Sequence, residues 1–112
     1  MPFSEYDIEC LEKAKGLIDA NISMHFTIAY LAEQAGMGET KLKLLFKQYF
    51  GNAVFTYLRN KRMIIAGELI GGKKTIKEIA RITGFKHVTN FSTAFTTYYG
   101  MAPGKYRKQL LQ

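Results

Sequence analysis

Lys41, Lys43 and Lys47 lie in the stretch Glu39 to Phe50, where Leu42, Leu45, Phe46, Tyr49 and Phe50 recur at helical spacing. A helix that buries those five turns Thr40, Lys41, Lys43, Leu44, Lys47 and Gln48 outward. Three ammonium groups beside a hydroxyl and an apolar side chain can pair with anionic groups repeated along a polymer. A second stretch, His87 to Tyr99, packs Phe91, Phe95, Tyr98 and Tyr99 and turns His87, Val88, Thr89, Ser92, Thr93 and Thr96 outward. From Val88 to Tyr99 it carries no charge, so it offers adaptable hydroxyls and apolar contact instead. Other chemistries lack their residues. Ser4, Ser23 and Ser92 have no base and orienting acid nearby in sequence. His25 and His87 have no partner at metal-ligand spacing, and the lone Cys10 excludes an intrachain disulfide. No enzyme, metal or cofactor is expected.

Each outward-facing stretch follows a short amphipathic segment and a glycine. Ile28, Leu31, Ala32, Gly36 and Met37 are answered 48 residues later by Ile76, Ile79, Ala80, Gly84 and Phe85. Beyond the turn the offset is 49, so Leu42, Phe46, Tyr49, Phe50 and Gly51 match Phe91, Phe95, Tyr98, Tyr99 and Gly100. One residue is inserted in the second turn. The pattern is helix-turn-helix, present twice: a small alanine where two helices approach, and a glycine at a corner that favours positive φ. Thr75 is placed to cap the first helix of the second motif, and Thr27 begins that of the first.

The remainder supports these two units. Ser4 and Asp7 open an acidic helix running to about Ala20, with Phe3 placed to pack on Ile8. Ala53 to Ile70 reads as a connecting helix, roughly 27 Å long at 1.5 Å per residue. Leu58, Ile65 and Leu69 are placed to touch both motifs, and the sequence gives no reason for Gly67. Pro103 starts a short last helix whose Arg107 and Lys108 suit its negative end. The expected fold is all-α, about seven helices, with a first segment 1–52, a connecting helix 53–72 and a second motif 73–112. The net charge of +7 is uneven: residues 1–40 balance to −5 and residues 41–112 to +12. The basic part begins where the first outward-facing helix begins, which points to a polyanionic partner. No apolar run is long enough to span a bilayer.

Together these marks resemble the AraC/XylS family of bacterial transcription regulators, specifically its C-terminal DNA-binding domain. They are Gly36-Met37 followed by Leu42, Phe46 and Lys47; the run Tyr57 to Met63; Ile76, Ile79, Ala80, Gly84 and Phe85; Phe91 and Phe95; and Gly100, Pro103, Tyr106 and Arg107. The resemblance implies a monomeric domain placing two reading helices in successive major grooves, which lie ~34 Å apart. It gives base-contacting roles to Thr40, Lys43 and Leu44 and to Val88, Thr89 and Ser92, with Lys41, Lys47, His87 and Thr93 beside them. Thr27, Thr75, Arg59, Arg62 and Lys86 fall to phosphate, with structural salt bridging the alternative for Arg59 and Arg62, and Gly36 and Gly84 fall to the turns. Leu44 and Thr93 stand where the family commonly has arginine, and Thr96 where it has lysine.

The resemblance further implies a cytoplasmic, nucleoid-associated regulator, an activator that acts through RNA polymerase. The effector-binding domain that most members carry, and through which a full-length protein can dimerise, is missing; the chain is either an excised domain starting at an added Met1 or a short stand-alone member. The alternative from another class is a helical module of the same fold that binds polymerase or a partner protein, a reading favoured by the uncharged second helix.

Overall fold

The computed structural model describes residues 3–111. Met1, Pro2 and Gln112 lie outside the described residues, so the reading of Met1 as an added residue does too. Among the described residues there are seven helices and no strand: α1 (Glu5–Ala20), α2 (Ile28–Ala35), α3 (Glu39–Phe50), α4 (Val54–Ile70), α5 (Ile76–Ile82), α6 (Val88–Tyr99) and α7 (Pro103–Leu110). No described helix is long and apolar enough to cross a membrane. The chain divides into two compact units, and the division falls inside α4, after Leu58.

In the first unit α1 starts at a capping box. Ser4 Oγ accepts from Asp7 N at 2.9 Å, and Asp7 Oδ2 accepts from Ser4 N at 3.3 Å. These bonds satisfy amides that the first turn cannot pair internally. Phe3 meets Tyr49 of α3 edge-on, with ring centres 5.1 Å apart. Leu11, Ala14 and Ile18 of α1 then form one core with Leu31 and Ala32, with Leu42, Leu45 and Phe46, and with Val54 and Leu58. Tyr57 closes it by setting its ring edge-on to Phe46 and donating its hydroxyl to Asp19 at 2.6 Å.

The second unit repeats this plan with a different support. Met63, Ala66 and Ile70 of α4 are buried at the spacing of Leu11, Ala14 and Ile18, so the later part of α4 does for this unit what α1 does for the first. Leu69, expected on the packing face, is half-buried and packs against this core, whereas Ile65 is half-buried without joining it. Ile79, Ala80, Phe91 and Phe95 complete the core, and Tyr106 stands edge-on to Phe95. Gly67 finds its reason here. A Cβ on it would lie 2.0 Å from the Tyr99 hydroxyl, which donates to the Met63 carbonyl at 2.7 Å. Arg107, read as a partner for its own helix end, instead donates from Nε to the Ile70 carbonyl at 2.7 Å and from Nη2 to the Lys74 carbonyl. It fastens the end of α4 to α7.

Both turns have the expected geometry. Gly36 and Gly84 sit at φ 82° and 94°, where a side chain is disfavoured. Met37 N donates to Ala32 O at 3.1 Å and Phe85 N to Ala80 O at 2.8 Å, the same five-residue closure twice. The second turn is longer because α5 ends one residue sooner than α2 and one residue is inserted before Val88. The residue that leaves the helix is Thr83, fully buried, whose hydroxyl donates to the carbonyls of Ile79 and Ala80. Tyr49 and Tyr98, taken from sequence as core, are exposed; only Phe46, Phe91 and Phe95 of the aromatic ladders are fully enclosed.

Candidate nucleic-acid interface

In the first unit Thr40, Lys41, Lys43, Leu44, Lys47 and Gln48 are all exposed along α3, as helical spacing requires once Leu42, Leu45 and Phe46 are buried. Leu44 is 55% exposed, a large apolar side chain with no core role. The lysines are not equivalent. Lys41 Nζ lies 3.0 Å from Asp7 Oδ1, and the ammonium holds that carboxyl below the usual carboxylate range. Its charge is therefore partly answered by α1. Lys43 and Lys47 have no such ion pair among the described residues. Helix α3 opens at Gly38 with no side-chain cap, which leaves its first amides available to an anion. Thr27 Oγ1 accepts from Tyr30 N at 3.0 Å, so its hydroxyl proton can still be donated outward.

In the second unit His87, Val88, Thr89 and Thr93 are exposed and Ser92 is half-buried on α6. Three of the four α6 threonines donate their hydroxyls to the helix backbone: Thr93 to the Thr89 carbonyl at 3.1 Å, Thr96 to the Ser92 carbonyl at 2.7 Å and Thr97 to the Thr93 carbonyl at 3.0 Å. Those three offer methyl groups and hydroxyl lone pairs, with the Thr89 and Ser92 hydroxyls beside them. Helix α6, too, opens without a side-chain cap, at His87. Thr75 differs from Thr27 because it shares a capping box with Glu78, whose carboxylate accepts from Thr75 N at 2.9 Å. That bond keeps the Glu78 carboxyl ionised to unusually low pH and puts a negative charge at the start of α5.

The two arginines expected at phosphate also part company. Arg59 is exposed and borders a recess of about 330 Å³ with Asn90, Thr93 and Thr97. Arg62 is half-buried, its guanidinium 5.7 Å from the centre of the Phe85 ring, and burial lowers its pKa. Stacking on the residue that plugs the turn gives it a structural role beside any contact outside. Lys86 is exposed and lines a second recess with His87 and Val88. Lys77 and Arg81 line the same recess and were not among the residues expected at the interface. Their separation of four residues on a short helix was the available signal.

Comparison with known proteins bears on the family and the fold. Residues 31–109 match the family described as "Helix-turn-helix domain". The chain is 32% identical over 112 residues to the probable transcriptional regulator LumQ of Photobacterium leiognathi, covering 96% of this chain and 44% of LumQ. It is 31% identical over 107 residues to the transcriptional activator RhaR of Yersinia pseudotuberculosis, covering 95% of this chain and 37% of RhaR. It thus spans less than half the length of these curated relatives. The crystal structure of a Chromobacterium violaceum transcriptional regulator, described among AraC-type DNA-binding domain-containing proteins, superposes with a TM-score of 0.81 at 29% identity, over 92% of this chain and 93% of that one.

Proposed function

The chain belongs to the AraC-type helix-turn-helix family of DNA-binding domains, and from that premise we propose that it reads a DNA operator with α3 and α6 in successive major grooves and activates transcription. The observation that carries this is the doubled motif, in which both outward helices open without a side-chain cap and expose their non-core face. In α3, Lys43 and Lys47 supply charge and donors, Thr40 a hydroxyl and Leu44 an apolar contact. In α6, Val88, Thr89, Ser92 and Thr93 supply methyl groups and hydroxyls. Thr27, Arg59 and Lys86 hold phosphates, with Thr75 and Arg62 as lesser contributors for the reasons of geometry given above.

Activation is supported by the likeness to RhaR, whose name describes an activator. RNA polymerase as a second partner, action in the cytoplasm at the nucleoid, a monomeric domain and dimerisation through a further domain belong to the same proposal. The test is selection of bound fragments from sheared genomic DNA, followed by titration of the recovered duplex at several salt concentrations. About five phosphate contacts give a log–log slope near −4 to −5. A slope between 0 and −1 would instead favour a helical module that binds protein.

A further inference from the structure

We propose that the second unit grips DNA through a basic recess beside its reading helix, built by Lys77 and Arg81 of α5 together with Lys86, and that the occupant is the phosphate backbone. The inference rests on the DNA-binding reading and deepens it. The recess has a volume of about 500 Å³, with Ala80 and Phe85 among its lining residues and Lys77, Arg81, Lys86, His87 and Val88 around them. Lys77, Arg81 and Lys86 are exposed, and none takes part in an ion pair among the described residues. Glu78, on the same helix, is drawn to the start of α5 by the Thr75 amide and does not line the recess, although Arg81 is close enough to help hold its carboxyl low. Three cations thus share a recess with no carboxylate in its lining, and their mutual repulsion is relieved by an anion seated among them.

The choice of DNA over an acidic protein follows from continuity. His87 and Val88 border the recess and also begin α6, so a strand whose base edges meet Val88 and Thr89 carries its phosphates past the same rim. It also answers a deficiency, because α6 brings no charge of its own from Val88 to Tyr99. In the first unit the cations lie on the reading helix; in the second they lie on the helix before it and in the turn.

The experiment uses the full chain and a fluorescein-labelled duplex of mixed sequence, since phosphate contacts alone carry such binding. Lys77→Gln with Arg81→Gln is compared with an equal loss of charge on α7, Lys105→Gln with Lys108→Gln, and with the charge-preserving pair Lys77→Arg and Arg81→Lys. Circular dichroism melts accompany each variant. The recess pair should fold like the parent, flatten the log–log salt slope by about 2 and weaken binding about tenfold or more at ~0.1 M salt, as expected for two lost phosphate contacts. The charge-preserving pair should keep the parental slope. An unchanged slope in the recess pair, or equal flattening by the α7 pair, overturns the proposal. A parent that shows no salt-dependent binding overturns the underlying DNA reading as well, which separates the two failures.

Discussion

At the scale of single residues, two positions have meanings that depend on a partner far away in sequence. Gly67 lies inside a helix, where alanine is ordinarily better by ~1 kcal/mol. Here a Cβ would meet the Tyr99 hydroxyl at 2.0 Å and its ring at 2.8 Å, and the ring is stacked 4.5 Å from Phe95 and 5.0 Å from Tyr106. Tyr99 cannot swing aside without leaving both rings and the Met63 carbonyl. Gly67→Ala should therefore destabilise by ~1–3 kcal/mol, the usual cost of overpacking. A thermal melt decides it, and a raised melting temperature would refute the account. Lys41 is the second case. Because Asp7 answers its charge, Lys41→Gln should weaken DNA binding less than Lys43→Gln. Asp7→Asn, which releases the ammonium, should steepen the salt slope by up to about one contact. Equal losses from the two lysine variants, measured by titration, would show that the ion pair opens on DNA.

At the scale of elements, α1, α2 and α5 are fixed by side-chain caps and the reading helices are not. Ser4, Thr27 and Thr75 each accept an amide of the turn they open, whereas Gly38 and His87 accept none. The caps and the Tyr57 anchor make stability depend on pH at both extremes. Asp7, held low mainly by Lys41, and Glu78, held low mainly by the Thr75 amide, have folded pKa values below their unfolded ones. Their contribution is complete above about pH 4–5 and is lost as the pH falls through the depressed values. Tyr57 behaves in the opposite sense: burial, then its bond to Asp19, pushes its pKa up to about 12. Its contribution is complete below about pH 10, the unfolded value, and is lost as the pH rises through the folded one. Melting temperatures followed across pH should fall at both ends, and Tyr57→Phe should flatten only the alkaline limb. An alkaline limb identical in parent and variant would mean that the Asp19 bond does not carry it.

For the whole molecule, the consequence is a division of labour between two copies of one motif. The first copy brings Lys43 and Lys47 to the reading face; the second brings methyl groups and hydroxyls, of which those of Thr93 and Thr96 already donate to backbone carbonyls. A lysine at a guanine edge discriminates by ~1–3 kcal/mol, while Val and Thr offer contact with a thymine methyl. The first motif should therefore define the sharper half of the operator and the second a looser half leaning to A·T. Lys43→Ala should relax base preference in one half-site, whereas Thr89→Ala with Ser92→Ala should change affinity little. Thr93→Arg should tighten binding and steepen the salt slope by about one. Selection from randomised duplexes tests this. If the sharper half survives loss of Lys43 and blurs on changing Thr89 and Ser92, the assignment is reversed.

What the chain alone determined is whatever periodicity and local stereochemistry encode. The two helix-turn-helix units, the inserted residue, the glycine corners, the caps and the outward faces of α3 and α6 all follow from spacing within a few turns of helix. Only the tertiary structure decided which of those outward groups already have partners. Asp7 and Lys41 are 34 residues apart in sequence and 3.0 Å apart in space, a proximity that no local pattern announces. The same holds for Gly67 beneath Tyr99, for Arg107 on the end of α4, and for the division of α4 between two cores. It also holds for the recess of Lys77, Arg81 and Lys86, which exists because the turn at Gly84 folds α5 back beside the start of α6. Helical periodicity fixes the face on which a side chain stands; long-range packing fixes what that face meets.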